Sequence, residues 1–326
     1  MFKLSSNIAI KTKSGKISFD YIADVTVTTD VETLTDTAII KVPKKMVWKD
    51  KSLTDLVKKN DTVTISLGYD GENTQVFSGH VRKIKSGVPL EIECEDDMYL
   101  LKQVKVKAKH YKALTIKQLL AEYCPIAYDV PDVNLGALHI DQEVTLIKVL
   151  DTIRTDYSIN FFTCAGKLYG ALPSMLLGVD KGFKKHKFKF GHNTVPGDSL
   201  DYTLADDVKI IIKAKAITRD NKKIEVQEPE GDLDGEVRTF LHPSIESKED
   251  LKKFAKEKLS TFKVDQMTGK FTVFGHPVVF KGDTIALQDD DNPERNDKGF
   301  FVKAVQYRFG SGGFRQDIEL GMQIKL

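Results

Sequence analysis

The stretch Asn60-Asp61-Thr62-Val63-Thr64-Ile65 returns near the other end of the chain as Gly282-Asp283-Thr284-Ile285-Ala286-Leu287. Each copy sets an Asp after a turn-forming residue and follows it with β-branched positions, the pattern of a strand leaving a tight turn. An acidic loop comes next in both. Then the chain reads Phe77-Ser78-Gly79-His80-Val81-Arg82-Lys83-Ile84 in the first copy and Phe301-Val302-Lys303-Ala304-Val305-Gln306-Tyr307 in the second. A third strand closes each, Leu90-Glu91-Ile92-Glu93 and Asp317-Ile318-Glu319-Leu320. Matching Phe77 with Phe301 and Val81 with Val305 gives Asp-to-Phe spacings of 16 and 18 positions, and Val-to-Ile spacings of 11 and 13. Three strands recurring in one order predict a duplicated small β-barrel.

The surroundings extend this reading. Residues 1–107 read as a first β-barrel domain, with strands at Asp24–Thr29, at Thr37–Val42 (ended by Pro43), at Thr62–Tyr69, at Gln75–Lys85 and at Pro89–Glu95. A helical turn falls in 52–59, and Asp70-Gly71 marks a hairpin because Gly tolerates positive φ. Residues 108–200 read as an α/β middle domain. Thr115 caps a helix running to Tyr123, and Thr145 caps another running to Tyr157, with Leu146, Val149, Leu150 and Ile153 on one face. Strands follow at 160–163 and 167–170, whereas Gly178 to Pro196 carries no assigned element. Residues 201–326 read as a second β-barrel domain with strands at Val208–Ile217, Lys222–Gln227 and Glu236–Leu241. A helix at 247–261 is inserted there, opened by Ser247 with Asp250 three residues on. The predicted class is mainly β with an α+β insertion: two similar small β-barrels plus a middle α/β domain.

Composition narrows the function classes. The 326 residues hold 49 Lys and Arg against 47 Asp and Glu, a net charge of +2, so no bulk field draws the chain to nucleic acid or to an anionic membrane. No apolar run approaches the roughly 18–20 residues of a membrane span, and no membrane anchor is expected. The opening Met1-Phe2-Lys3-Leu4-Ser5 lacks a signal-peptide apolar region. Cys94, Cys124 and Cys164 form no Cys-x-x-Cys pair, which fits a reducing cytoplasm. Cys94 shares a strand face with Leu90 and Ile92 and reads as core.

No catalytic, cofactor-binding or metal-ligating residue is assigned, and the chain is not expected to be an enzyme. The seven histidines (His80, His110, His139, His186, His192, His242, His276) form no zinc-hydrolase spacing. His186 and His192 sit in a basic loop and read as exposed. No nucleophile-elbow or phosphate-loop motif occurs. Gly310-Ser311-Gly312-Gly313 reads as a hairpin loop. Asp289-Asp290-Asp291-Asn292-Pro293-Glu294 has the oxygen density of a Ca²⁺ loop but lacks its central Gly and final Glu, so it reads as a hairpin tip. Glu122, Asp129 and Asp132 are candidates for a carboxylate pair, the basis of an alternative reading as a cell-wall-binding or wall-degrading β protein. Lys181-Gly182-Phe183-Lys184-Lys185-His186-Lys187-Phe188-Lys189-Phe190 interleaves aromatics with Lys. It suits stacking on nucleic acid, a strand with Phe inward and Lys outward, or a positive surface for an acidic partner.

A duplication has a consequence for assembly: a trimer of such chains presents six near-equivalent units, the simplest way for a threefold object to meet a sixfold one. The stretch from Lys59 to Gly71, with its Asn-Asp opening and Gly68-Tyr69-Asp70-Gly71 turn, resembles the hub proteins of contractile phage tails. So do Val76-Phe77-Ser78-Gly79-His80-Val81, Glu93-Cys94-Glu95-Asp96 with Met98-Tyr99-Leu100-Leu101, and the closing run from Tyr307 to Ile324. The helix at 145–157 and the strand pair at 160–170 are similar as well. The relatives suggested are baseplate hub proteins, late-control tail proteins and the hub region of type VI secretion spike proteins. The resemblance implies a homotrimeric structural hub in the virion tail, assembled in the bacterial host cytoplasm. Its implied partners are the tail tube protein, other baseplate proteins and a spike expected to be a separate protein, with no specific nucleic acid and no cofactor.

Overall fold

The computed structural model describes residues 3–20, 22–43, 47–48, 51–157, 159–164, 166–171, 184–231, 234–242, 245–263, 266–296 and 298–324. It is mainly β with a few helices, the class that the alternation predicts. The chain divides into two compact units, one of residues 1–99, 180–200 and 268–326, the other of 100–179 and 201–267. This division does not follow the expected boundaries at 107 and 200. Residues 201–267, read as the start of a second barrel, cluster with the middle segment, and the two strand-rich ends of the chain form one unit.

That first unit is organised by a single 13-stranded sheet. Its strands are β1 (Leu4–Thr12), β2 (Gly15–Phe19), β3 (Asp24–Asp30), β4 (Thr37–Val42), β5 (Thr62–Tyr69), β6 (Glu72–Lys85) and β7 (Leu90–Glu95) from the first part of the chain. The rest are β8 (Lys185–Lys189), β9 (Thr194–Val195), β10 (Lys270–Phe274), β11 (Thr284–Gln288), β12 (Gly299–Gly310) and β13 (Gly313–Ile324). The order is β9-β10-β13-β12-β3-β4-β7-β6-β5-β1-β2, with β11 pairing both β12 and β8. Period-two alternation sends Ile8, Ile10, Val25, Val27, Ile40, Val63, Ile65, Ile92, Val305 and Ile318 to full burial. Antiparallel pairing of β3 with β12, from Asp24↔Gly310 to Asp30↔Ala304, joins the two strand-rich regions into this one sheet. Asp70 (φ 51°) and Gly71 (φ 89°) supply the two left-handed residues of a type I′ turn between β5 and β6, as the sequence predicts. Strands β8 and β9 lie where no element is predicted; the first part of that basic segment, 172–183, falls outside the described residues.

The second unit holds the two predicted helices of the middle segment. Ile116–Tyr123 is opened by a full capping box between Thr115 and Gln118, and Leu146–Tyr157 buries Leu146, Val149, Leu150 and Ile153. A hairpin-like pair, Lys109–Thr115 with Asn134–Ile140, and a small sheet of 127–129, 160–164 and 167–171 accompany them. In residues 201–267, Ile210–Ile217 is the central strand between Lys223–Glu228 and Glu236–His242, running parallel to the latter. The helix Lys248–Phe262, capped by Ser247, belongs with this sheet through the buried Leu251 and Ala255 and through Phe254 and Phe262 beside Phe240. These apolar contacts, together with the parallel crossover, explain why 201–267 does not join the first unit.

Candidate functional site

The residues that open the two repeats build the same device twice. In the first, Asn60 is left-handed (φ 76°) and Asp61 closes the turn; in the second, Gly282 (φ 94°) and Asp283 do so. A side chain costs energy in that conformation, which is why Asn and Gly stand there. The Asp carboxylate accepts from the amide three residues earlier, Lys58 N at 2.7 Å and Phe280 N at 2.9 Å. The amides of Asn60 and Gly282 donate to the carbonyls of Val81 and Val302, both at 2.9 Å. The amides of Val81 and Val302 donate back to the carbonyls of Asp61 and Asp283, both at 2.8 Å. Three hydrogen bonds to two residues thus recur atom for atom.

The likeness continues into a β-bulge. Val81 pairs with Cys94 and Lys83 with Glu93, leaving Arg82 as the extra residue of β6. Val302 pairs with Leu320 and Ala304 with Glu319, leaving Lys303 as the extra residue of β12. Both bulged residues are cations held by glutamates: Arg82 lies 3.3 Å from Glu95, and Lys303 lies 3.0 Å from Glu319 and 2.9 Å from Glu32. Burial alone would lower the Lys303 ammonium, but hydrogen bonds to Glu32 and Glu319 outweigh it and hold the group above its ordinary value. In the third strand, Ile92 pairs with Ile84 and Ile318 with Val305, so the match of Ile92 with Ile318 is kept. The middle strand needs a correction of three residues, because Val81 corresponds to Val302 and Ile84 to Val305. Outside the meanders the match persists: β4 flanks β7 as β10 flanks β13.

The copies differ in what their turns hold. Lys59 is exposed, whereas Lys281, at the same position of the second turn, is 8% exposed and donates to Asp36 Oδ2 at 2.6 Å. Asp36 also accepts from the Asp30 amide at 3.1 Å, so the second turn clamps the β3–β4 connection. Burial pushes the Asp36 carboxyl up, and the Lys281 ammonium pulls it partly back. Asp283 takes two further donors, the Lys184 amide at 2.9 Å and His186 Nε2 at 2.8 Å. His186, read from sequence as exposed, is therefore a buried partner of Asp283 in strand β8. In the first turn, Asn60 Oδ1 accepts instead from the Tyr99 hydroxyl at 2.6 Å.

Several of the residues weighed for chemistry are engaged structurally, whereas Asp132 is exposed. Asp289 accepts from the amides of Asp291 and Asn292, from Asn292 Nδ2 and from Arg295, which fills its carboxylate from inside the loop. Glu122 lies with Lys109 and Tyr111, and Asp129 with Lys167. In β8, Phe188 is buried while Lys185 and Lys187 face outward, the inward–outward alternative for that segment. Cys94 is 2% exposed, and burial pushes its thiol up. Among the described residues no group of three or more His, Cys, Asp or Glu gathers around one point, and no helix is long and apolar enough to cross a membrane. The signals that sequence inspection missed were the turn's αL position and the bulge, both visible as Asn/Gly-Asp and as Val-Arg-Lys against Val-Lys-Ala.

No family model and no curated protein matches this sequence. Solved structures do. A tail protein from Neisseria meningitidis MC58 superposes with a TM-score of 0.63 at 15% identity, over 97% of this chain and 96% of that one. The 43 kDa tail protein of prophage MuSo2 from Shewanella oneidensis gives 0.61 at 14% identity, over 97% of each chain. A chain of the Francisella PdpA–VgrG complex gives 0.54 at 10% identity, with all of this chain covering 55% of that one. The fold carried by these tail proteins is the fold of this chain over almost its whole length.

Proposed function

We propose that the chain is a structural, non-catalytic hub of a contractile phage tail baseplate or a phage-like injection device. In this reading three copies close a ring in the virion tail and adapt a sixfold tail tube to a threefold spike. The observation that carries the proposal is the duplicated turn and bulge: one chain offers two near-equivalent blocks, so three chains offer six. The fold shared with tail proteins, one of them from a prophage, supports the same reading. A separate spike protein, the tube protein and other baseplate proteins are the partners. Assembly takes place in the host cytoplasm, with no part for nucleic acid or a membrane anchor.

Light scattering tests the ring. With a chain mass of 36.6 kDa, a trimer has a mass of about 110 kDa. The hub reading expects that species for the isolated chain or on addition of the spike protein. A chain that stays monomeric at high concentration with spike and tube proteins both present overturns it.

The outward lysines of β8 supply a second test. Lys185 and Lys187 are exposed on a strand whose core side is filled by Phe188. Reversing both to Glu leaves the fold intact and weakens capture of an acidic tube or spike surface by about tenfold or more, with most of the loss in the association rate. Unchanged capture removes this surface from the interface.

A further inference from the structure

We propose that His110 and His139 form a two-imidazole site for a divalent transition metal ion of the Cu²⁺ or Ni²⁺ type on the exposed face of the 109–115/134–140 strand pair. The register places them directly opposite one another, between Lys109↔Ile140 and Tyr111↔Leu138. Opposed residues of an antiparallel pair project from the same face with their Cβ atoms closest. The result is an Nδ1 to Nδ1 distance of 2.7 Å, with ring centroids 4.9 Å apart and planes inclined by 53°. The neighbouring pair, Tyr111 and Leu138, points the other way, and Leu138 is buried, so the two imidazoles stand clear of the core and both are exposed.

Two ring nitrogens approach this closely only when one carries a proton and the other a lone pair along the line between them. A metal ion takes the place of that shared proton, each neutral imidazole then keeping its proton on Nε2 and giving its Nδ1 lone pair. The spacing is compatible with a cis pair of ligands. With metal–nitrogen bonds of about 2.0–2.1 Å, two cis ligands at a right angle lie about 2.9 Å apart, and two tetrahedral ligands about 3.3 Å apart. The observed separation is nearer the first value, the geometry of tetragonal Cu²⁺ and Ni²⁺. The ladder is regular at this pair, its irregularities beginning only beyond Tyr111, so small ring rotations complete the bite without moving the strands. Since no third His, Cys, Asp or Glu joins them among the described residues, water fills the remaining positions. His80 and His186 are not rivals, for each has a ring nitrogen on a carboxylate, Asp97 and Asp283 respectively. The 29-residue separation of the two ligands explains why no motif announces the site.

Calorimetric titration of the full chain, untagged and carrying Cys164→Ser so that the exposed thiol does not compete, tests the proposal with NiSO₄ as the probe. One Ni²⁺ per chain is expected, and His110→Asn or His139→Asn alone weakens binding about a hundredfold, because the second imidazole binds as an intramolecular partner of the first. His192→Asn/His276→Asn leaves it unchanged. Titration with CuSO₄ in the unmutated histidine background gives an independent readout, nitrogen hyperfine structure from two imidazoles on one Cu²⁺. A one-imidazole spectrum, an undiminished affinity in His110→Asn, or no binding by the histidine-intact chain overturns the site.

Discussion

Replacing Lys281 with alanine lowers the stability of the large sheet by about 3–5 kcal/mol at neutral pH, because it strands the Asp36 carboxylate in a buried site without its counter-charge. Both side chains are 8% exposed, so solvent screens the pair little. The sign of the pH dependence follows from burial. Asp36 sits above its ordinary value of 3.8 even with Lys281 present, so the folded chain binds that proton more tightly than the unfolded chain. The stability gained in this way is complete below the unfolded value and is lost as the pH rises through the folded one. Lys281→Ala removes the main opposing pull and raises the folded value further. Its deficit therefore shrinks between neutral and acidic pH, as Asp36 takes up a proton on acidification. Denaturant midpoints of the natural chain and the variant at neutral and acidic pH check this. A deficit that is absent at neutral pH, or constant across the range, refutes it. The double variant Lys281→Met/Asp36→Leu recovers most of the loss, as apolar replacement of a buried pair does.

The second large effect separates the two copies of the turn. Asp283→Ala leaves three donors without an acceptor, the Phe280 and Lys184 amides and His186 Nε2, at a site only 2% exposed. At about 1–3 kcal/mol for each buried group left unsatisfied, the expected loss is at least about 3 kcal/mol. Asp61→Ala removes an acceptor from one backbone amide, that of Lys58, and costs about 1–2 kcal/mol. Hydrogen exchange adds a local readout: the Phe280 and Lys184 amides lose protection in the first variant, and the Lys58 amide in the second. Equal losses of stability in the two variants contradict this account of what the turns hold.

Much of the fold was legible because it is local. Strand alternation at Asp24–Thr29 and Thr62–Tyr69, the Asp70-Gly71 turn and the caps at Thr115 and Ser247 depend on neighbours within a few residues, and the structure has them. The repeat was legible in order but not in register. With Val81 matching Val302, Phe301 stands at the position of His80 and not of Phe77, so matching the two phenylalanines slid the middle strand by three positions. What was not legible depends on distant partners. Strand β8 is a Lys-rich segment that becomes a strand because β11 pairs with it, from Lys185↔Thr284 to Lys189↔Gln288. His186 is buried because Asp283 lies 97 residues on, and the His110–His139 pair exists only in the register of two strands. The expected domain boundaries failed for a related reason: helix 248–262 finds its apolar partners in Phe240 and its sheet, and β10–β13 complete a sheet begun by the first strands.

The junction of β3 with β12 imposes an order on biosynthesis. Thr29 and Val305, joined there by a side-chain hydrogen bond, stand 276 residues apart. At about 5–20 residues per second, a ribosome needs on the order of tens of seconds between releasing the one and releasing the other. Throughout that interval the nascent chain carries β3 with one row of backbone donors and acceptors open, a template for pairing with any other nascent copy. Thr26 and Thr28, alternating with Val25 and Val27, give that waiting strand a polar face. The sheet cannot close until β12 has been made, and a message cut short anywhere before β12 yields a chain that stays sticky.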